Sequence, residues 1–132
     1  MNDHPNALRV RALFRAFHER DLAAIRDVIA EHAVWHFPGR NLLSGSHRGH
    51  SGIFAFLARV GQLTDGSFTL DLEDVVANDR RAVALFRGHA RRGGRTLDNP
   101  TCLVIRLEDG LAVEIAEYVW DLPSVDAFWS DL

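Results

Sequence analysis

The spacing of apolar residues predicts two helices at the start of the chain. From Pro5 to His18, leucine, valine and phenylalanine side chains recur every three or four positions, as on an amphipathic helix. Asp21 is a suitable N-cap for a second helix, whose apolar positions continue to Ile29. Because only a short break, residues 18–20, separates the two segments, we expect a helix hairpin.

The apolar period then changes from helical to alternating. Residues 33–37 predict a short strand that ends at Pro38, and a polar loop with several glycines follows over residues 40–49. Ser51 is the expected cap of a third helix, over residues 52–63.

The second half of the chain predicts a sheet built from consecutive hairpins. Strands are expected near residues 68–77, 82–90, 97–107 and 111–120, with turns between them, and residues 123–129 predict a short terminal helix. Consecutive hairpins favour a mostly antiparallel sheet with the helices on one face, which is an α+β fold. We expect residues 1–132 to form a single domain.

Composition excludes several classes of function. Apolar residues make up 47% of the chain and charged residues 25%, as in globular proteins. The 15 basic and 18 acidic residues are mixed along the sequence, whereas nucleic-acid binding needs a concentrated basic face. No apolar run is long enough for a membrane span or a signal peptide, and Cys102 is the only cysteine. We therefore expect a cytoplasmic protein that binds neither nucleic acid nor membranes.

Two acidic residues near the end of the last strand are the first candidates for chemistry. If Val113 and Ile115 face inward, strand alternation carries Glu117 and Asp121 to the same side. A carboxyl group in an apolar pocket has a raised pKa and can act as a general base near neutral pH. The alternative for each acid is an ion pair with an arginine or exposure to solvent.

Aromatic residues and histidines supply further candidates. Trp35 and Phe37 share one strand face, where they would suit either the wall of an apolar site or a plain core. His36 and His47 could carry protons or steady an oxyanion, since imidazole titrates near neutral pH; the alternative is a surface or loop-pinning role. A metal site that adds His50 is disfavoured, because this spacing lies in a loop without nearby cysteine or acid. We expect no metal and no cofactor.

The last strand also predicts an interaction surface. Tyr118 and Trp120 alternate with the inward positions, which places them on the outer face of the sheet beside Ala112 and Ala116. Exposed aromatic residues in an apolar patch are typical of a subunit contact.

The order of elements and several local strings resemble the SnoaL-like family of the NTF2-like superfamily. The matching strings are residues 20–22, 34–39, 45–49, 79–83, 94–98, 109–110 and 126–130, with Asp121. The resemblance implies a cone-shaped α+β barrel, with N-terminal helices packed on the concave face of a curved sheet. It also implies a homodimer through the outer sheet face.

The resemblance argues against one activity of the superfamily. In ketosteroid isomerases the base would correspond to Phe37, the tyrosine of the oxyanion hole to Leu13, and the protonated aspartate to Leu103, or Cys102 if the alignment shifts by one. None of these catalytic residues is retained. The acid of SnoaL-type cyclases corresponds best to Asp121.

We therefore expect a cofactor-independent enzyme that acts by acid/base catalysis on a small apolar carbonyl or polyketide-like substrate, as a cyclase, isomerase or hydratase/dehydratase. Asp121 and Glu117 would move the proton, with help from His36 or His47. The side chains expected to line the ligand site are Trp35, Phe37, Leu13, Phe17, Phe56 and Leu103. The alternative is a non-catalytic dimeric domain that binds a small hydrophobic ligand.

Overall fold

The computed structural model describes residues 3–131, which form four helices and six strands. Their bounds are α1 Pro5–Glu19, α2 Leu22–Val28, β1 Ile29–Phe37, β2 Gly45–Arg48, α3 Gly49–Leu63, β3 Thr69–Ala77, β4 Arg81–Arg92, β5 Arg95–Glu108, β6 Leu111–Val119 and α4 Leu122–Trp129. No helix among these residues is long and apolar enough to cross a membrane.

The strands form one sheet in the order β2-β1-β6-β5-β4-β3. The hairpins from β3 to β6 are antiparallel, as is the β1–β2 pair, whereas β1 pairs with β6 in parallel. The predicted α+β fold with a mostly antiparallel sheet is confirmed.

The helix hairpin begins and ends as its local chemistry dictates. The Asp21 carboxylate accepts a hydrogen bond from the Ala24 amide and caps α2, as predicted. The first helix is capped by His4, whose Nδ1 accepts from the Asn6 amide. The start of α1 at Pro5 agrees with the prediction, whereas the His4 cap was not predicted because imidazole is an unusual capping group.

The prediction of a loop over residues 40–49 missed strand β2. This strand pairs with the end of β1, from Val34 opposite Arg48 to Phe37 opposite Gly45. Most of its residues are exposed, so the segment has no alternation of apolar and polar side chains that could predict a strand. Helix α3 then starts directly at Gly49, and Ser51 is not its cap.

The core lies between the inner face of the sheet and the helices. Leu13 of α1, Ile53 of α3, and Leu103, Ile105 and Ile115 of the central strands are almost completely buried. Each such side chain stabilises the fold by roughly 1.5–3 kcal/mol relative to exposure.

Two arginines of the β4–β5 hairpin hold the last helix against the sheet. Nη1 of Arg92 donates to the carbonyl oxygens of Phe128 and Ser130, at 3.0 and 2.6 Å. Arg95 donates to carbonyls of the same turn, including Ala127 at 2.8 Å. Cations at a helix C-terminus satisfy carbonyls that have no partner within the helix. Helix α4 is thereby fixed across one end of the sheet.

Candidate active site

A cavity of about 470 Å³ lies between the helices and the inner face of the sheet, next to the packed core. Most of its lining is apolar, and side chains of α1, α2, α3 and α4 face strands β1 and β3–β6 across it. The aromatic residues in its wall are Phe14, Phe17, Trp35, Phe37, Phe54, Phe56, Phe68, Phe86 and Trp129. A cavity of this size and composition suits a small apolar ligand.

Aromatic rings pack against one another at tilted angles along one wall. The ring centroids of Trp35 lie 5.9 Å from Phe17 and 5.3 Å from Phe56, and Phe37 lies 5.6 Å from Phe56. With Leu103, these four residues are the predicted lining residues that the structure brings to the cavity. Rings fixed by such contacts form a rigid wall.

The sixth predicted lining residue, Leu13, does not reach the cavity. Its side chain is 0% exposed and belongs to the core, whereas Phe14 and Phe17 of the same helix line the cavity. Leu13 and Phe17 are four residues apart on one face of α1, so the helical spacing that predicted both cannot separate a lining residue from a core residue.

Glu117 places a carboxyl group in this apolar wall. It lies on β6 opposite Leu103 of β5, and its Oε1 accepts a hydrogen bond from Nε1 of Trp35 at 3.2 Å. Burial raises the pKa of the Glu117 carboxyl to about 7, although the hydrogen bond from Trp35 acts in the opposite direction. The cavity therefore contains an acid that changes protonation state near neutral pH.

A β-bulge near the start of β6 interrupts the alternation expected along this strand. Glu114 pairs with Arg106, but the next pair towards the strand start is Ala112 with Leu107, so Val113 has no partner on β5. Ala112 is consequently buried on the inner side. The expectation that Val113 faces inward and Ala112 outward is wrong, because the extra residue shifts the alternation. Beyond the bulge, the predicted inward position of Glu117 holds.

Asp121 lies outside the cavity, contrary to the expectation that it faces inward. Strand β6 ends at Val119, and Asp121 is the exposed N-cap of α4. Its Oδ1 accepts from the Ser124 amide at 3.2 Å. Alternation cannot be extended past the end of a strand, and a carboxylate at a helix start has a structural role there.

His36 also lies on the opposite side of the sheet from the cavity. Its Nε2 is 2.9 Å from Oε2 of Glu114, and its Nδ1 is 2.8 Å from Oγ of Ser46. The proximity of Arg106 and the hydrogen bond with His36 hold the pKa of Glu114 below its usual range, the hydrogen bond being the larger cause. His36 therefore does not lie where it was expected to assist proton transfer, since its neighbours on β1 are the residues that face the cavity.

His47 stabilises the loop behind the aromatic wall and is not part of the cavity lining. Its imidazole stacks on the outer side of Phe56, with centroids 4.3 Å apart, and Nε2 is 2.8 Å from the carbonyl oxygen of Leu43. The third histidine of the disfavoured metal site, His50, contacts the carbonyl oxygen of Ile29 at 2.7 Å. Within residues 3–131, no group of three or more His, Cys, Asp or Glu residues is arranged to hold a metal ion.

Five polar residues besides Glu117 line the cavity without having been predicted to do so: Asn99, Thr101, Thr69, His18 and Arg20. Asn99 and Thr101 lie on β5, where Nδ2 of Asn99 donates to Oγ1 of Thr101 at 3.1 Å. Thr101 is paired with Val119, one inward position along the sheet from Glu117. His18 and Arg20 lie at the end of α1, on the exposed side of the cavity. Alternation with Leu103 could have indicated both Thr101 and Asn99, but no pattern indicated His18, Arg20 or Thr69.

Comparison with known proteins shows which families and structures this chain is similar to. The sequence profile described as a SnoaL-like domain matches residues 10–115. An uncharacterised Mycobacterium tuberculosis protein, Rv0034, is 30% identical over 131 residues, covering 98% of this chain and 100% of that protein. Bal32a, from a soil-derived mobile gene cassette, is 36% identical with a TM-score of 0.91, and the match covers 95% of this chain and 96% of Bal32a.

A more distant solved structure shares the fold. A candidate SnoaL-like polyketide cyclase from Jannaschia sp. CCS1 has a TM-score of 0.79 at 18% identity, over 100% of this chain and 99% of that one. The NTF2-like fold expected from the sequence is confirmed by such matches.

Proposed function

This chain belongs to the SnoaL-like domain family, and from that premise we propose that it is a cofactor-independent enzyme. Glu117 would move a proton next to the carbonyl group of a small apolar substrate. The observation that carries the proposal is the carboxyl group of Glu117 in the wall of a largely apolar cavity. A general base is most effective when its pKa lies near the working pH, and that of Glu117 is about 7.

The neighbouring groups suit a carbonyl substrate. Aromatic rings would contact the apolar body of the ligand. The Asn99 amide donates to Thr101 and to the Pro100 carbonyl, and the Thr101 hydroxyl donates to the Asn99 carbonyl, so each group would exchange one of these bonds for a bond to the carbonyl oxygen of the ligand. Thr101 and Glu117 lie diagonally on adjacent strands, where Cβ atoms are roughly 7–8 Å apart. A ligand between them would have its carbonyl oxygen and its adjacent C–H group near different side chains.

The proposed step is a proton transfer. The Glu117 carboxylate takes a proton from the carbon next to the carbonyl group, and the C–H electron pair forms an enolate whose charge lies mainly on oxygen. The hydrogen bonds from β5 would stabilise that charge. Return of the proton to another carbon gives isomerisation, attack of the enolate carbon on a second carbonyl gives cyclisation, and loss of a β-hydroxyl group gives dehydration.

A second candidate function is ligand binding without turnover. It is favoured by the fact that Glu117 is the only carboxylate among the lining residues within 3–131, so that no second acid is available as its partner. A carrier would need the apolar wall but no titrating group.

Deuterium exchange tests the proposal without knowledge of the natural substrate. In D₂O, the wild-type protein should speed exchange of the α-protons of small aryl ketones, as followed by proton NMR. Because general bases contribute typically 10²–10⁴-fold, Glu117→Gln should lower the rate by about that factor. The wild-type rate should rise with pH through about 7, as Glu117 ionises.

The matched control is Glu114→Gln, which removes a carboxylate from the same strand on the outer face. This variant should keep the wild-type exchange rate. Equal exchange rates in wild type and Glu117→Gln would contradict the proposal. Ketones that bind to the wild-type cavity without any catalysed exchange would instead favour the carrier.

A further inference from the structure

The cavity differs sharply between its deep end and its opening. Glu117 lies beside the buried side chains of Trp35 and Leu103. In the same lining, the exposed residues include His18, Arg20, Leu22 and Gly66. We call these four exposed residues the rim. They come from the α1–α2 turn and from the turn that follows α3.

Arg20 is held across this rim. Its Nη2 donates to the carbonyl oxygen of Gly66 at 3.1 Å, which joins the two turns. A carbonyl group orients the guanidinium without neutralising it. Within residues 3–131, no acidic side chain forms an ion pair with Arg20. The remaining guanidinium N–H groups are available to a ligand.

The backbone at Arg20 also favours another residue. Arg20 is the C-cap of α1 with φ 56°, in the left-handed region, and its amide donates to the carbonyls of Ala16 and Phe17. Glycine is the usual residue in this conformation, because a Cβ atom is disfavoured there. The backbone conformation therefore gives no reason for an arginine, and the contacts of its side chain must account for it: one hydrogen bond to Gly66, and the N–H groups left for a ligand.

The two ends of the cavity differ in the charge that their side chains carry. Arg20 is the only arginine or lysine among the lining residues within 3–131, and it lies at the opening, while Glu117 lies at the buried end. An anion at the buried end would meet the negative charge of Glu117 and would have to lose its water in an apolar environment. At the rim, an anion keeps part of its hydration and faces a guanidinium.

We infer that the rim is a carboxylate subsite, and that the ligand is an apolar keto acid whose carboxylate binds Arg20 while its carbonyl end enters the cavity towards Glu117. This inference rests on the proposed function for the role of the carbonyl end. A planar guanidinium matches a carboxylate through paired N–H···O hydrogen bonds. A single fixed cation balances a monoanion, which favours a carboxylate over a doubly charged phosphate.

Binding of a matched pair of compounds tests the subsite. The probes are an aryl ketone with a carboxylate at the end of a short alkyl chain, and the primary amide of the same compound, which has nearly the same shape but no charge. The wild-type protein should bind the acid about tenfold more tightly than the amide, as measured by calorimetry at low salt. Added salt should narrow this difference, because exposed charges are screened.

Substitutions of Arg20 test whether this residue causes the tighter binding of the acid. In Arg20→Gln the acid and the amide should bind equally, and the affinity for the amide should stay at its wild-type value, which also shows that the cavity is intact. Arg20→Lys should retain part of the preference, since it keeps the charge but not the planar group. Arg59→Gln, which removes an exposed arginine of α3 outside the cavity lining, should leave the preference unchanged.

Each result separates the subsite from the proposed chemistry. Equal wild-type affinity for acid and amide would overturn the carboxylate subsite, but catalysed α-proton exchange of the amide would still support Glu117 as the base. A preference that persists in Arg20→Gln would also overturn the assignment to this residue. If neither compound binds to the wild-type protein, both the subsite and the proposed function fail.

Discussion

Two neighbouring residues of β1 each contact a glutamate of β6, on opposite faces of the same sheet. Trp35 donates to Glu117 on the inner face, and His36 contacts Glu114 on the outer face. Burial raises the pKa of Glu117 to about 7, whereas the hydrogen bond with His36, with support from Arg106, lowers that of Glu114.

The surroundings of each glutamate, rather than its residue type, decide which chemistry its carboxylate can perform. On the outer face, a partner that can carry positive charge and surrounding water favour the ionised form. On the inner face, Trp35 supplies one neutral hydrogen bond, and the apolar wall offers no counter-charge. Only the inner glutamate is matched to proton transfer near neutral pH.

The largest expected effect is on stability as a function of pH. The pKa of Glu117 rises from 4.5, its value without the protein environment, to about 7 in the folded protein. Below pH 4.5, Glu117 is protonated in both the folded and the unfolded state, so it does not lower the free energy of unfolding. As pH rises from 4.5 to 7 the unfolded state loses its proton first, so the folded state is progressively destabilised. The full cost above that window is on the order of 3 kcal/mol.

Glu117→Gln removes this cost, because a neutral amide does not ionise. We expect the variant to be more stable than wild type at about pH 8 and to differ much less at about pH 5, as measured by urea unfolding. Glu114→Gln should show the opposite and smaller trend, because the lowered pKa of Glu114 favours the folded state at neutral pH and this benefit fades on acidification. A Glu117→Gln variant that is less stable than wild type at every pH would contradict the burial of an ionisable group.

A smaller effect is expected from Trp35→Phe. This change keeps an aromatic ring in the wall but removes the Nε1–H group that favours the ionised form of Glu117. The pKa of Glu117 should rise further, by about one unit, and the pH profile of ketone exchange should move to higher pH by the same amount. An unchanged profile would show that the hydrogen bond does not influence Glu117 in solution.

The smallest effect on the cavity is expected from changes to the outer face, for which we propose a role in dimer formation. Tyr118, which alternates with Glu117 on β6, is 58% exposed on the outer face, and Trp120, directly after the end of β6, is 84% exposed. A chain with both residues changed to lysine should sediment as a monomer while retaining ketone binding. The control is Leu8→Lys, which changes an apolar residue of α1 that is 55% exposed. A wild-type protein that is already monomeric would contradict this proposal.

Residue spacing predicted the fold and the inward position of Glu117 because both depend on regular alternation. It failed at Asp121, where the strand had already ended, and at Ala112, where a bulge changes the phase. His36 shows a different kind of error: its neighbours Trp35 and Phe37 were expected to face inward, and the same alternation therefore places it outside. Arg20 could not be predicted, since its position depends on contact between two distant turns.

The central claim is that Glu117 changes protonation state near neutral pH, and its side-chain carboxyl can be titrated directly. Carbon-13 NMR of protein labelled at glutamate, with the signal assigned by its absence in Glu117→Gln, would give the midpoint for this group alone. We expect a midpoint at about 7. A midpoint near 4.5, the value for an unperturbed glutamate, would contradict it.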